Sequence, residues 1–521
     1  MRTILGLFMI LAAMVQADDS QPLWNLARAN TNTHAFSTLF TAHDVKNHLA
    51  TDAGIGKAID WCKQTGVTKV YIESFRDGYT AERAALEKAR DRLRKEGFAV
   101  SGCVTPTSIG KKSNRWNIIA CYTDPATQER TGEIFRYTAS LFDEIMIDDF
   151  WFTECSCAEC DAARAARKVA VNGKITKARG DSFEDYRREL MLRISREQVL
   201  DAAKKVNPRA RLIIKYPQWY DMFHERGYDV ERETKMFDRI WVGTETRDFE
   251  DKRWGGTVPY EAYFIMRWLG GVGEKKCGGG WYDWLGTTEK TYLEQARQTV
   301  LGGARESMLF CYGGLQGTTG PKNIEALRSN VPELLEVAKE VGHRKIVGIA
   351  AYKPANSHPE DEKRVFDFVG MLGLPLVPCH EFPTKAPAAF FSIHALKDQD
   401  FTRKFMKFVR ARKPALITDG LAEKLRGKVS LDAPNIHVLT VKRDPKQLLQ
   451  LDEAALNAIR EPLLRAFKLS FQAPNKVGLY AFADGSWVIE NFNDTPVITE
   501  LNHVRRDVPA RGWIYEWKGH K

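Results

Sequence analysis

A chain of 521 residues is too long for one hydrophobic core and predicts two or three domains. Its composition, 44% hydrophobic and 28% charged, is that of a globular protein and excludes a disordered or low-complexity chain. The net charge of +10 is spread along the chain instead of forming a basic stripe, so we expect no nucleic acid partner. Binding of an acidic polysaccharide and simple solubility both account for this charge.

The first residues predict an export signal. Arg2 supplies a positive start, residues 4–15 form an apolar run of signal-peptide length, and Ala17 is a small residue at the expected cleavage position. The predicted signal peptide covers residues 1–17, and we expect the protein to be secreted or periplasmic. The run is too short for a permanent membrane span, so we expect no membrane insertion after signal removal. A retained N-terminal anchor is the alternative.

Short β-rich runs alternate with amphipathic helical patterns between residues 35 and 342. The eight predicted strands cover residues 35–41, 69–75, 99–105, 144–150, 211–216, 239–244, 278–284 and 306–312. Several are almost continuously hydrophobic, as in a parallel sheet that is buried on both faces. Eight such units over about 300 residues predict a (β/α)₈ TIM barrel over residues 18–342. A doubly wound open sheet is the alternative, but no Gly-rich phosphate-binding fingerprint follows the first strand.

The rest of the chain predicts two further units, which keeps the fold class α/β. Predicted strands at 345–351, 376–379, 389–393 and 415–418 alternate with helices at 361–372 and 401–412. This pattern indicates a smaller α/β domain over residues 343–470, of Rossmann or amidotransferase type. Predicted strands at 477–482, 486–491 and 497–501 alternate apolar and polar residues around short turns. They indicate a small C-terminal β domain over residues 471–521.

Acidic residues follow several predicted barrel strands, at the C-terminal ends where parallel barrels carry their functional side chains. The fourth strand ends with Asp148 and Asp149, and two adjacent carboxylates are unfavourable near a core unless they have a role. Neighbouring strand residues point to opposite faces, so we expect one of the two to face the mouth of the barrel. Glu245 after the sixth strand and Asp283 at the end of the seventh are the candidates for an opposing acid.

This arrangement fits glycoside hydrolysis, which needs one carboxyl to protonate the leaving oxygen and another to act as nucleophile or base. Asp283 lies between two tryptophans, and apolar surroundings would raise its pKa towards neutrality. Glu73 and Arg76, at the end of the second strand, are expected to position the substrate. Sugar rings stack on aromatic side chains, and the expected substrate-binding aromatics at the strand ends are Trp151, Tyr216, Trp219, Trp281 and Trp284.

Three cysteines, Cys155, Cys157 and Cys160, follow the fourth strand so closely that they cannot all pair with one another. Tetrahedral thiolate ligation of zinc suits this C-x-C-x₂-C spacing, and Cys121, after the third strand, is the candidate for the fourth ligand. Such a site would be structural and would fix the loop that carries the predicted catalytic acids. The alternative is a disulfide with a spare thiol, since export permits disulfides and the chain has nine cysteines. No organic cofactor is expected.

A cysteine on the third loop, an acid at the end of strand four and the C-x-C-x₂-C motif together resemble the family-42 β-galactosidases. The predicted layout of barrel, α/β domain and small β domain is also similar to theirs. The resemblance implies a retaining glycosidase with Asp148 or Asp149 as acid/base, Asp283 as nucleophile and zinc on the four cysteines. It also implies a homo-oligomer, because these proteins often form trimers. This chain departs from that family in having Asp148-Asp149 in place of Asn-Glu, and Asp in place of Glu on strand seven.

Two other barrel families are similar in part. The Asp pair resembles hexosaminidases in which one Asp orients the substrate's acetamido group and the other is the general acid, so that no protein nucleophile is needed. Families like the α-galactosidases pair a strand-four Asp nucleophile with a strand-six acid, which implies Asp148 with Glu245. We therefore predict a glycoside hydrolase acting on an oligo- or polysaccharide. The alternatives are a hexosaminidase-type enzyme, a non-catalytic carbohydrate-binding barrel and an extracellular assembly protein.

Overall fold

A computed structural model of the chain describes residues 21–251, 253 and 255–519. The predicted signal peptide, residues 1–17, lies outside the described residues. Within the described part of the chain, no helix combines the length and the apolar character that crossing a membrane requires.

Eight parallel strands form a closed barrel. They are β1 (Ala35–Phe40), β2 (Val67–Arg76), β3 (Ala99–Val104), β4 (Glu144–Ile147), β5 (Arg211–Tyr216), β6 (Arg239–Gly243), β7 (Cys277–Asp283) and β8 (Glu306–Phe310). Each strand pairs in parallel with the next, and β8 pairs with β1 to close the barrel, with Glu306 opposite Ala35. The predicted barrel is confirmed. The fourth strand ends earlier than predicted, at Ile147, because the two aspartates that follow turn towards polar partners.

Helices cover the outside of the barrel. Their bounds are Pro22–Ala29, Ala42–His48, Asp52–Gln64, Arg83–Lys95, Pro125–Ala139, Ala158–Ala165, Phe183–Ile194, Asp201–Val206, Val230–Met236, Tyr260–Gly273, Glu289–Leu301 and Gly320–His343. Several begin at a residue whose side chain accepts a hydrogen bond from a free backbone N–H of the first turn, such as Asp124 and Ser182. These caps fix where the chain leaves each loop at the C-terminal end of the barrel.

Two smaller units follow the barrel. Five parallel strands, in the sheet order Leu376–Cys379, Ile349–Tyr352, Ala389–Phe391, Ala415–Thr418 and Ile436–Leu439, form an α/β sheet with the order 2-1-3-4-5 that is common in doubly wound folds. Its helices are Val365–Gly370, Phe401–Arg410 and Asp419–Leu425, and the helix Glu453–Leu464 leads to the C-terminal sheets.

The C-terminal sheets are antiparallel. One contains Ile346–Val347, Val477–Phe482, Trp487–Asn491 and Trp513–Glu516, and the other contains Phe471–Gln472, Val497–Leu501 and Val504–Val508. The short strand Ile346–Val347 therefore joins the C-terminal sheet, although it precedes the α/β strands in the chain. One hydrophobic core runs through all three units. The domain boundaries at 342 and 470 stay predictions.

Candidate active site

The interior of the barrel contains one buried side chain from each of its eight strands. These residues are Leu39, Tyr71, Cys103, Met146, Ile213, Trp241, Trp281 and Met308. Side chains alternate along a strand, so the residue two positions further on also points inwards, one layer closer to the mouth. In this next layer the chain places mostly polar residues, namely Glu73, Thr105, Asp148, Lys215 and Asp283. The layer is the candidate active site.

The first half of this layer is a hydrogen-bonded group around Arg76. The guanidinium donates to Glu73 Oε2 at 2.8 Å, to Thr105 Oγ1 at 2.7 Å and to Asp148 Oδ2 at 3.0 Å. Burial raises the pKa of Glu73, and the hydrogen bonds from Arg76 and Thr105 only partly oppose that rise. Burial would also raise the pKa of Asp148, but the cations of Lys215 and Arg76 outweigh it and hold this pKa below its ordinary value. Asp148 is therefore a carboxylate with fixed partners.

The second half is centred on the ammonium group of Lys215, which is 1% exposed. Its Nζ lies 2.9 Å from Asp149 Oδ2 and 3.7 Å from Asp148 Oδ1, and it donates a hydrogen bond to Glu245 Oε1. Below these acids, the same ammonium lies 4.1 Å from the centre of the Trp281 ring. Burial would lower the pKa of Lys215, but the three carboxyls raise it above its ordinary value. The lysine stays charged.

Asp149 and Glu245 have raised pKa values that differ from each other. Burial raises the pKa of Asp149 to about 6, with a further contribution from Asp148, while Lys215 opposes the rise. Burial raises the pKa of Glu245 to about 8, again opposed by Lys215 and increased by Asp149 and Asp283. At neutral pH Asp149 is therefore ionised and Glu245 is protonated. The Asp149 side chain is also 17% exposed, against 4% for Glu245. The ionised Asp149 is suited to act as a base or nucleophile, and the protonated Glu245 is suited to act as an acid.

Asp283 lies in the same layer, but its carboxylate forms an ion pair with Arg247. Arg247 donates to its two oxygens at 3.3 and 2.8 Å, and the backbone N–H of Leu285 donates to Oδ1 at 3.1 Å. Arg247 adopts a left-handed backbone conformation with φ of 59°, which is uncommon for a residue other than glycine. The loop after β6 is thus shaped to deliver this guanidinium to Asp283. Both oxygens of the Asp283 carboxylate therefore accept hydrogen bonds from the protein.

Three of the predicted substrate-binding aromatics are buried. Trp151 donates from Nε1 to Ser195 Oγ at 2.8 Å, and the Tyr216 hydroxyl donates to Glu233 at 3.2 Å, so both point towards the outer helices. Trp281 lies inside the barrel beneath the ammonium of Lys215. The structure does not bring these three side chains to the mouth as a stacking surface.

Other aromatics are accessible. Trp219 is half-buried, with the Arg226 guanidinium 4.7 Å from its ring centre, and Trp284 is also half-buried. Trp116, which the sequence reasoning missed, is 42% exposed and lies 5.7 Å from the ring of Phe150, directly after Asp149. Trp116 follows no barrel strand closely, and for this reason strand-end reasoning could not find it.

The predicted zinc ligands come together. The Sγ atom of Cys121 lies 3.8 Å from that of Cys157 and 3.5 Å from that of Cys160, and Cys157 lies 3.6 Å from Cys160. With Cys155, all four sulfurs lie within 4.8 Å of one another. A tetrahedral zinc site with Zn–S bonds of about 2.3 Å requires S···S separations of about 3.8 Å, so the four thiols fit this ion. All nine cysteines lie in the described part of the chain as free thiols.

A cavity of about 830 Å³ lies between a barrel loop and the α/β unit. It is lined by the loop after β6 (residues 249–258, in part), by residues 360–368 of the α/β unit and by residues 443–446. Its lining contains neither Asp149 nor Glu245. The assignment of the candidate site therefore rests on the arrangement of the carboxyls and not on this cavity.

Comparisons with known proteins agree with the fold. A family model described as "Probable glycosyl hydrolase, catalytic domain" matches residues 20–329. An uncharacterised protein from Saccharolobus solfataricus is 27% identical over 341 residues, which are 62% of this chain and 56% of that protein. The chain thus matches little more than half the length of this relative.

Two solved structures are similar over most of the chain. One is a catalytic mutant of Gan42B, a GH42 β-galactosidase from G. stearothermophilus, with a TM-score of 0.63, 10% identity, and coverage of 93% of this chain and 98% of that chain. The other is α-L-fucosidase isoenzyme 2 from Paenibacillus thiaminolyticus, with a TM-score of 0.63, 10% identity, and coverage of 90% and 93%. At this identity the likeness shows a shared fold alone. The predicted similarity in layout to the family-42 enzymes is confirmed.

Proposed function

Because the chain belongs to the family described as "Probable glycosyl hydrolase, catalytic domain", we propose that it hydrolyses glycosidic bonds of an oligo- or polysaccharide. Asp149 and Glu245 are the two reacting carboxyls in this proposal. The observation that carries the assignment is their common contact with the Lys215 ammonium, combined with pKa values of about 6 and about 8. The substrate's sugar and linkage are left open.

The spacing of the two carboxyls supports retention of configuration. Two oxygens that accept hydrogen bonds from one nitrogen, each at about 2.9 Å, can be at most about 6 Å apart. Retaining glycosidases separate their carboxyls by about 5–5.5 Å, whereas inverting enzymes need about 6.5–9.5 Å to admit a water molecule. The shared contact with one lysine brings Asp149 and Glu245 close together, and on this ground we propose a double displacement.

The proposed reaction begins with the proton on Glu245. Asp149 attacks the anomeric carbon while Glu245 protonates the leaving oxygen, which breaks the glycosidic bond and leaves a glycosyl ester on Asp149. Glu245, now a carboxylate, removes a proton from water, and the resulting oxygen nucleophile breaks the ester. The sugar is released, and both carboxyls regain their initial protonation states. Lys215 keeps Asp149 ionised before attack and stabilises the Glu245 carboxylate after it has lost its proton.

Asp148 acts as a positioning residue in this scheme. Its Oδ1 accepts a hydrogen bond from the backbone N–H of Asp149 at 2.8 Å, and its Oδ2 is bound by Arg76 and Thr105. These contacts hold the peptide that carries Asp149 at the mouth. Glu73, which accepts from Arg76, supports the same arrangement from β2. The α-galactosidase-like alternative, with Asp148 as nucleophile, is less suited to these contacts because both of its oxygens already have partners.

A hexosaminidase-type mechanism is the second candidate, because both aspartates of the pair face polar partners at the mouth. In that mechanism the substrate's acetamido oxygen replaces the protein nucleophile. Glu245→Gln would then reduce turnover only mildly, whereas Asp148→Asn and Asp149→Asn would both be severe. Our assignment expects Asp149→Asn and Glu245→Gln to be severe.

The test is hydrolysis over a panel of oligo- and polysaccharides with wild type, Asp149→Asn, Glu245→Gln and Glu231→Gln. Glu231 is a matched control because its side chain is 67% exposed on an outer helix. We expect the first two variants to lose at least about 100-fold in kcat/KM, since acid–base catalysis alone contributes about 10²–10⁴-fold. The anomeric configuration of the first-formed product, read by NMR, should match that of the substrate. Full activity of Asp149→Asn would overturn the assignment.

We also propose that Cys121, Cys155, Cys157 and Cys160 bind a structural zinc ion. The support is the near-tetrahedral set of sulfur separations and the free state of all four thiols. The ion would tie the loop after β3 to the loop after β4, which begins with Asp148 and Asp149. Native mass spectrometry before and after chelation tests this proposal. Export, a periplasmic or secreted location and a homo-oligomer stay predictions.

A further inference from the structure

A second group of metal-binding side chains lies away from both the active site and the cysteines. Glu184 comes from the first turn of the barrel helix Phe183–Ile194, His224 from the loop after β5, and His358 from the loop after the α/β strand Ile349–Tyr352. One ligand atom from each of these residues lies within 4.8 Å of the other two. The group therefore joins the barrel to the α/β unit.

A ring nitrogen of His224 faces a ring nitrogen of His358. His224 Nε2 lies 3.0 Å from His358 Nδ1, and the rings are perpendicular with centroids 4.1 Å apart. On its other side, His358 Nε2 lies 3.0 Å from Glu184 Oε2. A carboxylate accepts and does not donate, so Nε2 of His358 carries the proton and Nδ1 presents its lone pair to His224. Carboxylates that fix a histidine tautomer in this way are typical of metal sites.

A second carboxylate faces the same nitrogen. Glu225 Oε1 lies 3.7 Å from His358 Nδ1 and follows His224 directly in the chain. With zinc–nitrogen bonds of about 2.0–2.1 Å, two tetrahedral nitrogen ligands lie about 3.3 Å apart, close to the separation observed. His358 is half exposed, so its ring can move by the few tenths of an ångström that are needed. Solvent also reaches the site from this side.

The charges around the two histidines are largely paired. Arg188 lies 3.0 Å from Asp185 and 3.4 Å from Glu184, and Lys353 lies 3.7 Å from Asp221. The Glu184 carboxylate is thus shared between His358 and Arg188, and Glu225 supplies a further negative charge beside His358.

We propose that His224 Nε2 and His358 Nδ1 bind a zinc ion, with Glu184 orienting His358. The Glu225 carboxylate, which is 40% exposed and lies 3.7 Å from His358 Nδ1, would rotate towards the ion to complete the ligand set. Two imidazoles and a carboxylate are a ligand set that suits zinc and related divalent transition metals. The ion would connect the loop after β5 with the α/β unit. It is separate from the four-cysteine site and from the proposed hydrolysis.

Zinc titration of the full chain, followed by calorimetry and native mass spectrometry, tests the proposal. Wild type should bind one equivalent beyond that of the cysteine site, and His358→Ala should lose that equivalent. Glu184→Gln should bind it about 10–100-fold more weakly, as expected for loss of an orienting carboxylate. Cys160→Ser should retain it. Because His358 is half exposed, the alanine variant should fold, and circular dichroism checks this.

His503→Ala is the matched control, since His503 is an exposed histidine 3.5 Å from a single carboxylate, that of Glu500. It should leave zinc binding unchanged. Zinc should also raise the unfolding midpoint of wild type by more than that of His358→Ala, because the variant keeps only the cysteine site and binding to the folded state adds stability. If wild type binds no further equivalent, or if His358→Ala binds it as tightly, the two nitrogens share a proton and the proposal is overturned.

Discussion

Replacing Lys215 with methionine should change the pH dependence of hydrolysis more than any other property. The substitution keeps the length of the side chain but removes the ammonium that contacts Asp149 and Glu245. A unit charge at about 4 Å contributes about 4 kcal/mol at an effective dielectric constant of about 20, which corresponds to about three pKa units. Entry of water lowers this value, and we expect the pKa of Asp149 to rise by about two units.

The expected loss of activity follows from these values. Asp149, with a pKa of about 6 in the wild type, is about 90% ionised at pH 7. A pKa of about 8 in Lys215→Met leaves about 10% ionised, so kcat/KM at pH 7 falls about tenfold from ionisation alone. The acidic limb of the kcat/KM profile should move to higher pH. The basic limb should also move upwards, because the same cation lowers the pKa of Glu245.

Lys353→Met is the matched control. Lys353 is also 1% exposed, lies 4.6 Å from the centre of a tryptophan ring and contacts a buried aspartate, Asp221, outside the candidate site. Removing one member of a buried ion pair costs about 3–5 kcal/mol of stability, so both variants should unfold at lower temperature. Only Lys215→Met should shift the pH profile. If its activity falls while both limbs stay in place, Lys215 does not set the ionisation of these acids and our reasoning is wrong.

Four further outcomes are expected. Wild-type kcat/KM should fall as the pH rises through about 8, where Glu245 loses its proton, and Glu245→Gln should lack this limb. Asp283→Asn should lose less than about tenfold in kcat/KM, since Asp283 is bound by Arg247, whereas the family-42 assignment predicts loss of the nucleophile and near inactivity. Trp151→Ala should destabilise the protein by about 3–5 kcal/mol in denaturant unfolding and leave KM unchanged, because the ring is buried. Cys157→Ser should lose zinc in a native mass spectrum and lower the unfolding temperature.

The barrel could be predicted because its strands are buried on both faces and therefore appear as short hydrophobic runs. The positions of the acids followed from the rule that side chains at the C-terminal ends of parallel strands meet at one mouth. The rule predicted Asp148, Asp149, Glu245 and Asp283, and all four lie in or beside the polar layer. It could not say which carboxyls share a partner, because that depends on the register of eight strands around the barrel.

The burial of Lys215 among acids could have been predicted from the sequence. The strand Arg211–Tyr216 is apolar except at its first residue and at Lys215, and a charged residue inside a strand buried on both faces needs a buried counter-charge. That argument would have placed the lysine among the acids. The orientation of Tyr216 offered no such signal, because both faces of a buried parallel strand are apolar. Trp151 lies in the loop after β4, where side-chain periodicity does not apply. The contact of Arg247 with Asp283 depends on the backbone of a loop, which sequence periodicity does not describe.

The position of Lys215 between the acids also fits the movement of charge in the proposed reaction. Before attack the negative charge is on Asp149, and after attack it is on Glu245, while Asp149 becomes a neutral ester. Both carboxyls contact the same ammonium, so one fixed cation stabilises the charge before and after it moves. Such a preorganised cation requires little rearrangement during the reaction and acts in a buried setting where its field is weakly screened. A lysine that is 1% exposed, rather than a mobile surface cation, is therefore suited to this role.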